Sequence, residues 1–330
     1  MAVTMRDVAH RSGVSIKTVS RVVNNQGEIS EATRCRVQPV IAELGYRPNV
    51  LARGLVSGQT LSVGMIIPRI TDPFFPEVVL GVENVARQHG YSIFLCNANG
   101  DPQQELEYAE VLGGKQVDGI ILCGSVLVEQ QLEGVAARQY ISVLTSRRPR
   151  GAAVISVDEE AGFERATAHL IGLGHCAIGH ICVSPKLNTT WRLNGYRRAL
   201  EQHSIAGHER WIVSANDITI EAGYQACTRL LAQAPEVTAI SCFNDLIAVG
   251  VLRACEVLGR RVPDDVAVTG FDDIELASLA VPALTTVHVP RQQVGEALME
   301  ALLQVIKTEG RYDAWTHLDL DLVVRASSGA

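Results

Sequence analysis

The chain has 330 residues, 47% of them hydrophobic and 20% charged, with a formal net charge of −7. That length suits about two domains with a large core, and the composition is globular rather than disordered, fibrous or disulfide-stapled. No apolar run reaches the roughly 18 residues of a membrane span. The N-terminus turns polar at Arg6, so no secretory signal and a cytoplasmic location are expected.

The chain opens on TMRDVAHRSGVSIKTVSRVVN, residues 4–24. Thr4 can cap a first helix, with Asp7 three positions on completing a capping pattern. Val8 and Ala9 face inward, and Gly13 supplies the left-handed stop. Ser15 then caps a second helix. Val19, Val22 and Val23 recur at spacings of three and four and mark its buried side. Ile16, Lys17, Thr18, Ser20 and Arg21 are left facing outward. A helix-turn-helix sets the early residues of its second helix against base edges. A plain helical hairpin with a solvated face has the same spacing, so the residue identities must decide.

Those identities, DVAxxSGVSxxTVSRVxN and then SEATRCRVQPVIAELGYRPNVLARGL, closely resemble the DNA-binding head of the lac repressor/galactose repressor (LacI/GalR) family of bacterial transcriptional regulators. More loosely, the resemblance runs to the end of the chain. It implies DNA contacts by Thr4, Ser15, Ile16, Lys17, Thr18, Ser20, Arg21, Asn24 and Asn49. It also implies a hinge helix near residues 50–56 that orders on the operator and wedges Leu55 into the minor groove; packing of Leu55 on the body is the simpler alternative. Gly54 would weaken that helix in the free protein. Charge agrees with this division. Residues 1–58 hold eight Lys/Arg against four Asp/Glu, or +4, and the rest holds 21 against 32, or −11. A basic head on an acidic body confines phosphate contact to one end.

Ser30 is placed to cap a third helix over about 31–44, closing a small all-α head. Pro39 falls inside it and departs from the family pattern, so a kink or early break is expected there. The predicted organisation is a head over 1–48, a hinge and linker over 49–60, and a two-lobed effector-binding and dimerisation domain over 61–330.

From residue 61 the pattern becomes apolar strands alternating with amphipathic helices. Strands are predicted at 61–67, 91–96, 119–123 and 141–144, and in a second set at 177–182, 211–213, 239–243 and 266–269. Helices are predicted at 75–89, 103–115, 162–173, 191–203, 220–233, 246–258 and 292–307. Such alternation makes parallel sheets covered on both faces. The resemblance implies an α/β periplasmic-binding-protein-like body of two parallel-sheet lobes, with three chain crossings between them. One lobe would hold 61–157 plus about 289–319, the other 162–286 plus the tail.

Ligands of open parallel sheets bind beyond the strands' C-terminal ends, here between the lobes. Strand-end residues are therefore the candidates: Asp72 and Phe74, Arg147, Trp191 and Arg192 at a helix start, Asn244, and Asp272. Arginine, acid, amide and ring together suit a polar, hydroxyl-rich molecule. The resemblance assigns effector contact to Arg192, Asn244 and Asp272, with Phe74 and Trp191 as apolar walls. Each could instead cap a neighbouring helix. Arg147 and Arg192 together favour an acidic effector, so a sugar, a sugar acid and a sugar phosphate all stay open.

Enzymatic signatures are missing: no GxGxxG, GxxxxGK[ST] or GxSxG stands in the chain. The adjacent pairs Asp264-Asp265 and Asp272-Asp273 should point apart and make poor acid/base pairs. The eight cysteines include no CxxC pair, and Cys96, Cys123, Cys182 and Cys242 lie in apolar runs that read as core. No histidine spacing fits a metal, and no cofactor is expected. No leucine heptad follows residues 320–325, so a homodimer on a near-palindromic duplex operator is expected. The reading is a ligand-controlled repressor of a sugar or sugar-acid operon. A global regulator or activator of the same family, a sugar-binding protein that does not bind DNA, and a cleft enzyme are the alternatives.

Overall fold

The computed structural model describes residues 3–23, 27, 29–46, 59–183, 190–312 and 314–329. The chain divides into two compact units, Met1–Leu61 and Ser62–Ala330. Asn24, Asn49, Leu55 and the expected hinge helix lie outside the described residues.

Among the described residues the first unit contains three helices, α1 (Met5–Ser12), α2 (Ile16–Val23) and α3 (Glu31–Leu44). Asp7 accepts from both the Thr4 backbone N–H at 2.8 Å and the Thr4 hydroxyl at 2.7 Å. Those hydrogen bonds hold the Asp7 carboxyl below its ordinary pKa. Ser15 and Ser30 cap α2 and α3 by accepting from the N–H groups of Thr18 and Thr33. Gly13 and Gly45 both take the left-handed conformation, at φ 63°. Each lets the next residue reach back, Val14 to the Ala9 carbonyl and Tyr46 to that of Ile41, which closes the helix end. Val8, Val19, Val22 and Val37 fill the core, each contributing about 1.5–3 kcal/mol by leaving water. An Arg11–Glu43 ion pair at 2.9 Å joins α1 to α3.

Of the kink or early break expected at Pro39, the break does not occur, and α3 spans the expected 31–44 with Pro39 inside it. Pro39 and Cys35, whose carbonyl loses its partner, are both exposed, so water can replace the missing bond. Burial of Val37 and packing of Ile41 and Leu44 on the core outweigh the propensity cost.

The second unit is two six-stranded sheets. Lobe 1 runs β1 (Ser62–Ile67), α4 (Phe74–Gln88), β2 (Ser92–Asn97), α5 (Pro102–Gly114), β3 (Gly119–Cys123), α6 (Glu129–Ala136), β4 (Ile141–Leu144) and β5 (Ala152–Val157). The chain then crosses into lobe 2. There it forms α7 (Glu159–Gly172), β6 (Ile178–Val183), α8 (Thr190–Gln202), β7 (Ile212–Ala215), α9 (Ile220–Gln233), β8 (Ala239–Cys242), α10 (Asp245–Val257), β9 (Ala267–Asp272), α11 (Glu275–Leu279) and β10 (Thr285–His288). It returns to lobe 1 for α12 (Arg291–Lys307) and β11 (Trp315–Leu318), and crosses again to end with β12 (Asp321–Val323). These are the three expected crossings.

The sheet orders are β11-β5-β4-β3-β1-β2 and β12-β10-β9-β8-β6-β7. The first is wholly parallel. The second departs from expectation, because β12 pairs antiparallel with β10. Sequence periodicity located the central strands and missed β5, β10, β11 and β12. Cys123 and Cys242 are buried as expected, whereas Cys96 and Cys182 are only half-buried; Cys96 lies on the edge strand β2. The apolar core of lobe 1 is continuous with Phe163, Phe271, Val287 and Leu320 of lobe 2.

Candidate DNA-binding face and effector cleft

On α2, Ile16, Lys17 and Arg21 are exposed while Val19 and Val22 are buried. Thr18 and Ser20 are half-buried at the margin. Ile16 is 45% exposed, an apolar side chain beside two cations on a helix whose other face is core. Ser15 bonds Thr18 through both its hydroxyl, at 2.9 Å, and the Thr18 N–H. Thr4 is exposed but engaged with Asp7. The sequence thus separates a packing face from a polar, cationic face within eight residues.

In the second unit, strand ends place a charged cluster between the lobes. Arg192, in the first turn of α8, is its centre. Its Nε and Nη2 both donate to Glu159 Oε1, at 3.0 and 2.7 Å, and Nη1 donates to the Phe243 carbonyl at 2.7 Å. Nη2 also lies 3.6 Å from Asp272. The guanidinium stacks 4.3 Å from the rings of Phe243 and Phe271, which favours the planar arginine fork over an ammonium. Burial pulls the Arg192 pKa down, but Glu159, Asp272 and Asp72 outweigh that and raise it.

Asp272 ends β9 and does not cap a helix. Its φ is 101° and that of Asp273 is 54°, so the pair is not the extended loop the sequence suggested. The side chains still diverge, because Asp273 meets Arg325 at 2.7 Å and His288 at 2.9 Å. Arg291 donates to the carbonyls of both aspartates. Burial drives the Asp272 pKa well up, against the pull of Arg192. Asp264 and Asp265 do the opposite of what was expected and converge on Arg261, at 3.1 and 2.7 Å.

Asp72 enters the cluster from lobe 1. It is buried, accepts from the Phe74 N–H at 3.0 Å, and so fixes the start of α4. Its pKa is raised by burial and drawn back by Arg192 and Arg69. Phe74 is half-buried and packs edge-on against Phe75. Asn244 caps α10 by accepting from Ile247 N–H at 3.1 Å, so it and Asp72, which braces the turn ahead of α4, both stand at helix starts by the cleft.

Two candidates stand at the margin, outside the bonds that hold Arg192. Arg147 donates to the Leu127 carbonyl, and the carboxylate that acts on it is Glu129. Trp191 lines a groove of about 420 Å³ with Ser146, Trp315, His317 and Glu159, so the groove opens on the acid that holds Arg192. Sequence reasoning also missed Glu159, which follows an unrecognised strand, and Arg69, which bonds Asp217 across the cleft. Their only sequence signal was a position just past a strand end.

A two-lobed body with an arginine-centred cluster, in a chain that also carries a helix-turn-helix, defines the class. The chain belongs to the lacI family of bacterial regulatory proteins and is a DNA-binding transcriptional regulator. The family described as "Bacterial regulatory proteins, lacI family" matches residues 4–49. That described as "Periplasmic binding proteins and sugar binding domain of LacI family" matches residues 60–318. The HTH-type transcriptional repressor PurR of Photobacterium profundum is 33% identical over 98% of both chains. PurR of Vibrio campbellii is 35% identical over 98% of this chain and 97% of its own. Among solved structures, a lac repressor dimer bound to operator and the anti-inducer ONPF is 28% identical, covers both chains fully and has a TM-score of 0.91. A CelR–cellobiose complex is 30% identical over 98% of this chain and 99% of its own, at a TM-score of 0.74. No helix among the described residues is long and apolar enough to cross a membrane.

Proposed function

We propose that the protein is a homodimeric, effector-controlled repressor acting in the cytoplasm on a near-palindromic operator, and that it is not an enzyme. The observation that carries this reading is α2, whose Ile16, Lys17 and Arg21 are exposed on a helix otherwise committed to the core. Lys17, Thr18, Ser20 and Arg21 enter the major groove, Ile16 meets a thymine methyl, and Thr4, Ser15, Asn24 and Asn49 steady the head on the backbone. Leu55 wedges the minor groove at the dyad. Exposed Leu80 and Phe94 on lobe 1, with Leu279 and Val281 on lobe 2, support burial against a second copy.

A small hydroxyl-rich molecule of the sugar class binds between the lobes, contacting Asp72, Phe74, Arg192, Asn244 and Asp272. Arg147 and Trp191 serve at its margin. The cellobiose complex of the related CelR supports that class. The effector acts by preferring one lobe arrangement, which changes the spacing of the two hinge segments.

Sequencing the genomic fragments retained by the purified protein at near-physiological salt tests the proposal. A few palindromic sites beside a sugar-uptake or catabolic operon, lost when the operon's substrate is added, are expected. Many scattered sites would instead indicate a global regulator, and no enriched site with or without sugars would overturn the reading.

A further inference from the structure

The cleft cluster holds three carboxylates, Asp72, Glu159 and Asp272, around one guanidinium. Glu159 is the acid that engages it most closely. It takes both the Nε and the Nη2 donors of Arg192 on one oxygen. Nη1 is committed to the Phe243 carbonyl, and Asp272 stands 3.6 Å from Nη2. The side chain of Arg192 is 12% exposed and that of Glu159 is 24%, so the pair is drawn from solvent and only weakly screened. An anionic ligand would either displace Glu159 and sit beside a carboxylate left without its partner, or take the remaining guanidinium protons while facing three carboxylates with one cation among them. The second arginine that the sequence offered for anion recognition, Arg147, is held by the Leu127 carbonyl.

We infer that Glu159 is a specificity-determining residue: by occupying the Arg192 fork it bars sugar acids and sugar phosphates and restricts the cleft to uncharged or cationic polyhydroxy ligands. This rests on the reading of the cleft as an effector site. Uncharged hydroxyls can donate to Asp72 and Asp272 and accept from the remaining guanidinium protons without breaking the pair. The cluster thereby acts against the wrong ligand as well as for the right one.

The test uses the full-length protein and titrates D-gluconate, D-glucose 6-phosphate and D-glucose by calorimetry. Wild type is compared with Glu159→Gln and Glu160→Gln. Glu160 is the control because it pairs with Arg198, at 3.4 Å, and not with Arg192. Both variants remove the same formal charge, but only the first frees the fork. Glu159→Gln should gain about tenfold or more in affinity for gluconate or the phosphate, through new charge-assisted bonds to Arg192. Glu160→Gln should resemble wild type, and both should melt as cooperatively as wild type. Equal gains in the two variants, no gain in Glu159→Gln, or wild type binding gluconate as tightly as glucose would each overturn the inference. Glucose sets the broader reading apart: if it binds none of the three while Glu159→Gln still gains the anion, the gating role stands and the neutral-sugar assignment falls.

Discussion

Arg69 of lobe 1 and Asp217 of lobe 2 join across the cleft through two parallel hydrogen bonds, Nη2 to Oδ1 at 2.7 Å and Nη1 to Oδ2 at 3.2 Å. The Arg69 bond holds the Asp217 carboxyl below its usual pKa. The two side chains are 32% and 49% exposed, so the pair adds at most about 1 kcal/mol to folding. Its effect falls on the balance between open and closed lobes. Asp217→Asn should leave the melting temperature nearly unchanged while enlarging the unliganded protein in small-angle scattering. Raising the salt on wild type should have the same effect. Equal scattering profiles for wild type and variant at low salt would show that other contacts hold the lobes.

The DNA-binding face gives a second expectation. Replacing Arg21 by alanine should relax the operator preference at one base position, costing about 1–3 kcal/mol there if the side chain is bidentate to guanine. Selection from a randomised duplex pool reads this directly. A uniform loss across all sequences, with a shallower salt dependence, would make Arg21 a phosphate contact.

A third concerns the buried carboxyl of Asp245. It accepts from the Thr286 hydroxyl at 2.6 Å and the Ile274 N–H at 2.9 Å. Burial nevertheless pushes its pKa up to about 7, against those two bonds. A carboxyl whose folded pKa lies above its unfolded value near about 4 binds more protons when folded, so its contribution to stability falls as pH rises between those values. Below about 4 the penalty is absent, and above about 7 it is constant. Asp245→Asn keeps both partners and cannot ionise. Wild-type melting temperature relative to this variant should therefore fall from pH 5 to pH 7 and then level off. A difference that stays flat across that range would mean Asp245 ionises normally.

Helix packing gives a fourth. A Cβ on Gly250 would sit 2.0 Å from the Ile220 carbonyl oxygen and 2.6 Å from the Tyr224 nitrogen, both backbone atoms of α9. Gly250→Ala must push α9 and α10 apart and should cost about 1–3 kcal/mol. Gly114, the last residue of α5, has open space around it, so Gly114→Ala should be neutral or gain up to about 1 kcal/mol. Denaturant unfolding of the two variants checks the contrast. Equal effects would mean the α9–α10 contact relaxes freely.

Local chemistry made much of the fold legible. Thr4, Asp7, Ser15 and Ser30 announce helix starts because their short side chains can reach the unpaired N–H groups of a first turn. Gly13 and Gly45 announce stops because a left-handed residue is needed there. Strands such as 119–123 could be read because a parallel strand covered on both faces is apolar at every position. Strand β11, with Trp315 exposed at the sheet edge, carries no such run and went unseen. Pro39 shows the opposite case: the local rule was sound, but core packing outweighed it. In the cleft, the strand-end rule reached Asp72, Asn244 and Asp272, since that rule follows from sheet topology; Arg192, in the first turn of α8, came from the family resemblance.

By itself, then, the sequence determined the helices of the head and the alternating strands and helices of the body, because caps, periodicity and turn residues act over a few positions and are written locally; the regulator class and the two lobes came from residue identities that resemble a known family. Tertiary structure decided which charges meet. Glu159 reaches Arg192 across 33 positions of chain, and Arg69 reaches Asp217 across 148. It also decided that Arg147 turns to Leu127 instead of joining Arg192. Ion pairing depends on distance and burial in the folded chain, and neither has any counterpart in local sequence pattern.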